Sequence, residues 1–173
     1  MDSKNITVDM GDFGRMALDK TVEELIVLAF KDPLTDTFNR NALSELRSKV
    51  ERGYIYLAMV DIDHLKQIND TYGHIVGDMV IKQVAAHLQR VSPTVFRLGG
   101  DEFLIVSSKS LMNLQVPQAT VGAMFKPDCL SFGDAMEAAD HRLYAAKHSR
   151  TPKTDCYDYS PNDIREIFGL PRI

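Results

Sequence analysis

Cysteine is scarce in this chain, and an excess of basic residues is missing. The 173 residues include only two cysteines, Cys129 and Cys156. They lie far apart and near no histidine cluster, so they imply neither a disulfide framework nor a zinc site. Two free thiols in a reducing compartment are expected. Lysine and arginine together number 20 against 24 acidic residues, a formal net charge of −4. A chain without a positive surplus does not wrap a nucleic-acid polymer by neutralising its phosphates. A small phosphorylated ligand, held by local cations and metals, stays within reach. No apolar run approaches the ~20 residues that cross a bilayer. The opening MDSKNITVDMGDFGRM has neither the apolar centre nor the cleavage pattern of a signal peptide. Internal repeats and low-complexity blocks are also missing. These absences predict a soluble, cytoplasmic protein whose partners include no membrane and no nucleic-acid polymer.

What is present suits one globular domain: 45% of the residues are hydrophobic and 25% charged. Residues 1–18 read as an irregular lead-in. Residues 21–30, TVEELIVLAF, read as a helix, with Thr21 and Glu24 at capping-box spacing. A second helix is predicted over 39–53, capped by Asn39, with Leu43, Leu46 and Val50 on one face and Gly53 at its end. YIYLAMVDID (54–63) is a β-rich apolar run and reads as a buried strand. DMVIKQVAAHLQRV (78–91) is a helix that Pro93 stops. TVFRL and FLIV flank a Gly-Gly turn as a hairpin, and residues 119–125 form another strand. A long helix follows to about Arg150. DCYDY (155–159) reads as a short closing strand and SPNDIREIFG (160–169) as a last helix. This order predicts an α+β fold: a mixed central sheet with helices packed on it.

The acidic residues are placed where chemistry could use them. Asp61 and Asp63 sit two apart at a strand end, so the period of 2 points both to one side. Asp101 and Glu102 occupy a hairpin tip. If the hairpin lies beside the first strand, carboxylates converge at one edge of the sheet. Hard cations such as Mg²⁺ choose such oxygen sites, and a carboxylate pair on neighbouring strands suits two-metal phosphoryl transfer. Taken singly, each acid reads equally as a solvated strand end or turn tip. DIDHLKQINDTYGHIVGD (61–78) adds Lys66, Asn69, Asp70, His74 and Asp78 within a stretch rich in turn signals. The backbone N–H groups after Asp63 could cradle phosphate oxygens. Asn69 and Asp78 could read a purine edge, the carboxylate accepting the N1 and N2 hydrogens of guanine. The plainer roles are a local cap for Asn69 and a packing histidine for His74.

Four blocks then resemble, in order, the GGDEF-domain diguanylate cyclase family. DPLTDTFNR (32–40) is similar to its opening D-x-L-T-x-L-x-N-R motif, and DIDHLKQINDTYGHIVGD to its D-x-D-x-F-K-x-x-N-D-x-x-G-H-x-x-G-D block. RLGGDEF (97–103) resembles its signature turn, and ADHRLYAAKHSR (139–150) its closing A-D-x-A-L-Y-x-A-K-x-x-G-R. The resemblance spans about residues 30–157. It implies a nucleotidyl cyclase or polymerase palm-like fold, and condensation of two GTP molecules into cyclic di-GMP and two pyrophosphates. It implies that Asp61, Asp101 and the Ile62 carbonyl hold two Mg²⁺ or Mn²⁺ ions. Glu102 would assist the 3′-hydroxyl as base or further ligand. Asn69 and Asp78 would bind guanine. Lys147 and Arg150 would hold the triphosphate, helped by backbone amides at His64, Leu65 and Lys66. Lys66 would also serve near the leaving phosphates, with His74 beside the substrate. Asp63 matches the motif without an assigned role. The two glycines would permit a tight turn and leave room for a nucleotide over the backbone. Because the product is two-fold symmetric, a homodimer is expected, each chain bringing one GTP.

The same resemblance sets a domain plan: a lead-in and short helix over 1–30, a catalytic domain over 31–157 and a helical extension over 158–173. The short first helix could pair two chains or dock on its own domain. The chain departs from the family in places. Only KSLMNLQVPQ (109–118) stands where a full crossover helix belongs, room for about one or two turns. One face of the sheet should therefore be less covered. The product-inhibition motif R-x-x-D reads RVSP, with Pro93 in place of the acceptor, so feedback at Arg90 is expected to be weak or absent. Ser149 and Thr151 replace Gly and Asn of the closing motif, and Leu65 replaces Phe. Two other readings compete: a cyclase-like module that binds GTP or a protein partner without turnover, and a cyclase making another cyclic dinucleotide. Asp78 argues against the second, because a carboxylate repels the lone pair of adenine N1.

Overall fold

Apolar alternation on four strands sets the architecture of the computed structural model, which describes residues 20–49, 55–127 and 130–149. The order is α1 (Val22–Phe30), α2 (Arg40–Lys49), β1 (Ile55–Ile62), α3 (Leu65–Tyr72), α4 (His74–Val91), β2 (Val95–Gly99), β3 (Glu102–Ser107), β4 (Ala119–Lys126) and α5 (Phe132–His148). The strands form one sheet in the order β2-β3-β1-β4, and every ladder is antiparallel. The expectation of helices packed on a central sheet holds, but its mixed character shrinks to one parallel bridge, Phe38 to Phe96. The reason is intercalation. The connection through α3 and α4 brings β2 back parallel to β1 in direction, and β3 then inserts between them and opposes both.

Both faces of β1 are covered, which is why its sequence reads as a continuous apolar run. Ala58, Val60 and Ile62 face α4, where Val80, Ile81, Val84 and Leu88 complete a core with Phe103 and Ile105. Leu57 and Met59 face the opposite way, against Leu43 of α2 and Phe132, Ala135, Ala139 and Leu143 of α5. The connection 108–118 carries no helix, less than the turn or two its length allows. It plugs the α4 side with Leu111 and Val116, both buried, and Leu114.

Local signals explain most boundaries. The Thr21 side chain accepts from Glu24 N–H while Glu24 accepts from Thr21 N–H, the reciprocal cap read from sequence. Asn39 Oδ1 accepts from Ala42 N–H at 3.0 Å and starts α2. None of α1 is buried, and Val22, Ile26, Val27 and Leu28 are all more than half exposed. One difference matters for function. The polar stretch after β1, expected to be turn-rich, is the helix α3, joined to α4 at Gly73, which takes φ +86°. Its polar residues mask a buried face of Leu65 and Ile68. A left-handed elbow then costs a glycine little, so two helices share what reads as one irregular connection. Val50, Gly53, Cys129, Arg150, Cys156, the closing strand and the last helix lie outside the described residues.

Candidate active site

The end of β1 is a meeting point because both its neighbours are antiparallel to it. Asp61 stands opposite Glu102 on β3 and Thr120 on β4. The hairpin turn is stitched to the same place: Ile62 N–H donates to the Asp101 carbonyl at 3.1 Å. Beyond the strand, Asp63 N–H donates to the Gln118 carbonyl at 2.8 Å, and Thr120 Oγ1 donates to Asp63 Oδ1 at 2.6 Å. From α5, Lys147 forms an ion pair with the Asp61 carboxylate. The sheet register thus brings together Asp61, Ile62, Asp63, Asp101 and Glu102, and α5 adds Lys147.

The electrostatics of this edge favour an added cation. Burial is the largest influence on Asp61 and pushes its carboxyl above the ordinary range. The Lys147 hydrogen bond and charge pull it down, and the neighbouring Asp101 and Asp63 push it up again. A half-buried carboxylate that still repels two others beside one ammonium fits a divalent ion. Among the described residues, no three acidic, histidine or cysteine side chains form a ready-made metal cluster. Asp61, Asp101 and the Ile62 carbonyl could supply hard oxygen donors for part of a shell. That is the usual protein share for Mg²⁺, which keeps water and substrate phosphates as its other ligands.

The Gly-Gly turn is held from below. Arg97 Nη2 and Nε donate to the Gly100 carbonyl at 2.8 and 3.3 Å, while Nη1 bridges to Asp32 at 3.1 Å. Asp32 Oδ1 also accepts from Thr35 N–H and Thr35 Oγ1. Burial alone would raise the Asp32 carboxyl, but the bonds from Thr35 and Arg97 and the guanidinium charge outweigh it and hold it below its ordinary value. Neither Gly99 nor Gly100 takes a left-handed φ, so the tight turn does not require glycine for that reason. A Cβ at either would meet nothing within 4 Å, so the protein's own packing does not demand glycine there.

The remaining predicted residues follow on α3 and α4. His64, at φ +58°, precedes α3, and no side chain caps that helix's first N–H groups. These amides, from Leu65 and Lys66 onward, are the ones proposed as a phosphate cradle. The Leu65 side chain is buried in the core, so only its backbone can serve a ligand, whereas Lys66 is exposed. Asn69 lies against α4, its Oδ1 buried and without a hydrogen-bond donor among the described residues. Asp78 and His74 are exposed on the first turns of α4, so His74 is not a packing histidine. Arg150, expected to help Lys147, lies outside the described residues.

Three contributors escaped the sequence reading. Arg97 and Asp32 stand in the motifs RLGGDEF and DPLT, but nothing local in either motif announces a role. Their pairing joins residues far apart in the chain, and only a long-range contact reveals it. Thr120, which seats Asp63, left no signal within its apolar strand.

Comparison with known proteins identifies the family. The chain matches the family described as "Diguanylate cyclase, GGDEF domain" over residues 29–119. It is 36% identical over 153 residues to diguanylate cyclase DgcP of Pseudomonas aeruginosa, covering 70% of this chain and 23% of that protein. It is 31% identical over 160 residues to the probable diguanylate cyclase DgcI of Escherichia coli, covering 81% and 36%. The chain thus spans well under two thirds of the length of these relatives. Among solved structures, the coiled coil and GGDEF domain of DgcB from Caulobacter crescentus, in complex with c-di-GMP, superposes with a TM-score of 0.62. The two are 27% identical, with 79% of this chain and 89% of that one covered. The match takes in more than half of the sequence and the carboxylate edge, hairpin and helical elbow alike, and the chain belongs to the GGDEF family of diguanylate cyclases.

Proposed function

We propose that this chain is a metal-dependent diguanylate cyclase that joins two GTP molecules into cyclic di-GMP. The observation that carries the reading is the register at the end of β1, which sets Asp61 against Glu102, ties Asp101 to Ile62 and adds Lys147. In the reaction, the 3′-hydroxyl oxygen of one GTP attacks the α-phosphorus of the other, a new P–O bond forms and pyrophosphate leaves. The exchange then repeats in the opposite sense. Asp61, Asp101 and the Ile62 carbonyl would hold Mg²⁺ or Mn²⁺, which supplies a lowered hydroxyl pKa and neutralises the leaving group. Glu102 accepts the hydroxyl proton or adds a ligand. Lys147 offsets phosphate charge, together with Arg150 and the amides at His64, Leu65 and Lys66, and Lys66 stands near the leaving phosphates. The open space over Gly99 and Gly100 leaves room for the nucleotide backbone. Asn69 and Asp78 read guanine, with His74 nearby. A homodimer supplies the second GTP in line.

A second reading, a module that binds GTP or a protein partner without turnover, is favoured by the helix-free connection 108–118. Incubation with GTP and Mg²⁺ at high protein concentration, followed by chromatography, separates the two. Cyclic di-GMP is the expected product. Folded protein that binds GTP but releases neither product nor pyrophosphate would leave the binding module. No helix among the described residues is long and apolar enough to cross a membrane.

A further inference from the structure

The buried oxygen of Asn69 rests where most residues would place a side chain. A Cβ built on Gly77 would lie 1.9 Å from Asn69 Oδ1 and 2.9 Å from its Cγ. Gly77 itself is buried inside α4, one helical turn beyond the elbow at Gly73, and its φ is not left-handed. Its backbone therefore suits any residue, and the need for glycine at this place comes from the Asn69 carboxamide alone. The three nearest atoms to that virtual Cβ, at 1.9, 2.9 and 3.4 Å, all belong to the Asn69 side chain, so no other packed neighbour comes closer than ordinary contact distance.

We infer that Gly77 is a positioning residue for base recognition: its bare Cα is the seat that fixes the Asn69 carboxamide at the α3–α4 elbow. The inference rests on the reading of Asn69 as a guanine contact. The carboxamide carries a donor and an acceptor on a freely rotating torsion, so it reads a base only if something sets its plane. No donor among the described residues does this for Oδ1. Close packing on Gly77 does it instead, by shape. The seat also lies one residue from Asp78, the other residue proposed to contact guanine. Alanine at 77 leaves the core unclashed, because the side chain that must yield is the free end of Asn69.

This gives the seat an unusual signature. In a helix interior, Gly→Ala raises stability where it is only a matter of backbone entropy. Gly77→Ala should keep or raise the thermal midpoint and weaken GTP binding about tenfold, the scale of a lost polar contact. Binding is measured with GTP and Ca²⁺ in place of Mg²⁺ by calorimetry on the full chain, alongside ITP, which lacks the guanine 2-amino group. The preference for GTP over ITP should shrink in step. Asn69→Ala should weaken GTP binding by a similar factor, and the double variant should bind no worse than Asn69→Ala alone. The Asn69 side-chain amide signals, identified by their loss in Asn69→Ala, should shift in Gly77→Ala without any nucleotide.

The outcomes separate cleanly. If Asn69→Ala weakens binding while Gly77→Ala does not, or if the two effects add fully, the seat is wrong and the guanine reading stands. If Asn69→Ala leaves GTP affinity unchanged, the guanine reading fails, and the positioning role falls with it. A Gly77→Ala protein that loses stability, or whose Asn69 signals do not move, also overturns the inference, since the glycine would then serve helix packing.

Discussion

The two faces of the sheet are finished differently. On the α5 side, Phe132, Ala135 and Ala139 are fully buried and Leu143 nearly so, and α2 adds Leu43. On the α4 side, α4 packs with β1 and β3, and Leu111, Leu114 and Val116 of the loop join the same cluster as Val121 and Ala123 of β4. There Val121 and Ala123 stay half-buried and Phe125 is 38% exposed. The two faces also supply different halves of the site. The α5 side brings Lys147 to Asp61, so charge gathers under the better-packed half. The α3–α4 elbow carries Asn69 and Asp78, the pair proposed to read the base. Shortening the crossover has thinned one wall and left the carboxylate edge intact, because Asp61, Asp101 and Glu102 are placed by strand register and a turn.

The strongest break of this division is chemical. Asp101→Ala should lower cyclic di-GMP formation by roughly a thousandfold or more, the scale of a lost metal ligand. Denaturant unfolding should barely change. Product assays on protein with an unaltered unfolding curve check this, and surviving turnover would move the metal away from the turn.

The next sharpens the packing contrast. Phe132→Ala should cost about 3–5 kcal/mol, as expected for a large side chain in a closed core. Leu111→Ala, in the loop plug, should cost about 2–3 kcal/mol, at the low end for leucine, because a loop can collapse into the gap. Urea unfolding of both variants compares the walls directly. Equal losses would mean that the loop packs as firmly as the helix it replaces.

A smaller effect tests how the turn is held. Asp32→Asn should cost about 1–2 kcal/mol at neutral pH by weakening the bond to Arg97. The sign with pH follows from the direction of the shift. The Asp32 carboxyl lies below its ordinary value of 3.8 in the fold. Its stabilisation is therefore present above that ordinary value and is lost as pH falls through the lowered one. Wild type should lose its advantage over Asp32→Asn only in acid, which unfolding curves across that range would read. An advantage that vanished above neutrality would contradict the pairing.

Much of this was legible in the sequence, and the rest was hidden for physical reasons. Thr21 with Glu24, Asn39, the strand at YIYLAMVDID and the hairpin are local signals, and each stands within a residue or two of where it was expected. The four motif blocks named the carboxylate edge because they fix residue identity and spacing. α3 escaped because Asn69, Asp70 and Gly73 read as turn residues, while its buried face rests on Leu65 and Ile68 alone. The Asp32–Arg97 clamp and the Gly77 seat escaped because each is a contact across space with no periodicity to announce it. The antiparallel sheet in place of a mixed one depends on which strand inserts between which, and strand order leaves no trace in a local pattern.

The smallest expected effect concerns feedback. Arg90 ends α4 and is exposed, and Pro93, also exposed, stands where an acceptor would complete an R-x-x-D pair. A lone guanidinium at a helix C-terminus interacts favourably with the helix dipole but offers a guanine base no carboxylate partner. Cyclic di-GMP added at micromolar concentration should therefore barely slow the initial rate of turnover, and Arg90→Ala should leave the inhibition curve where it is. Pro93→Asp restores the acceptor on the same short connection between α4 and β2. If the surrounding surface still has the shape of a product site, that variant should become inhibitable at concentrations the wild type ignores. Wild-type inhibition abolished by Arg90→Ala would show instead that the arginine recruits its acceptor from elsewhere, on the thinly covered side of the sheet or on the second chain.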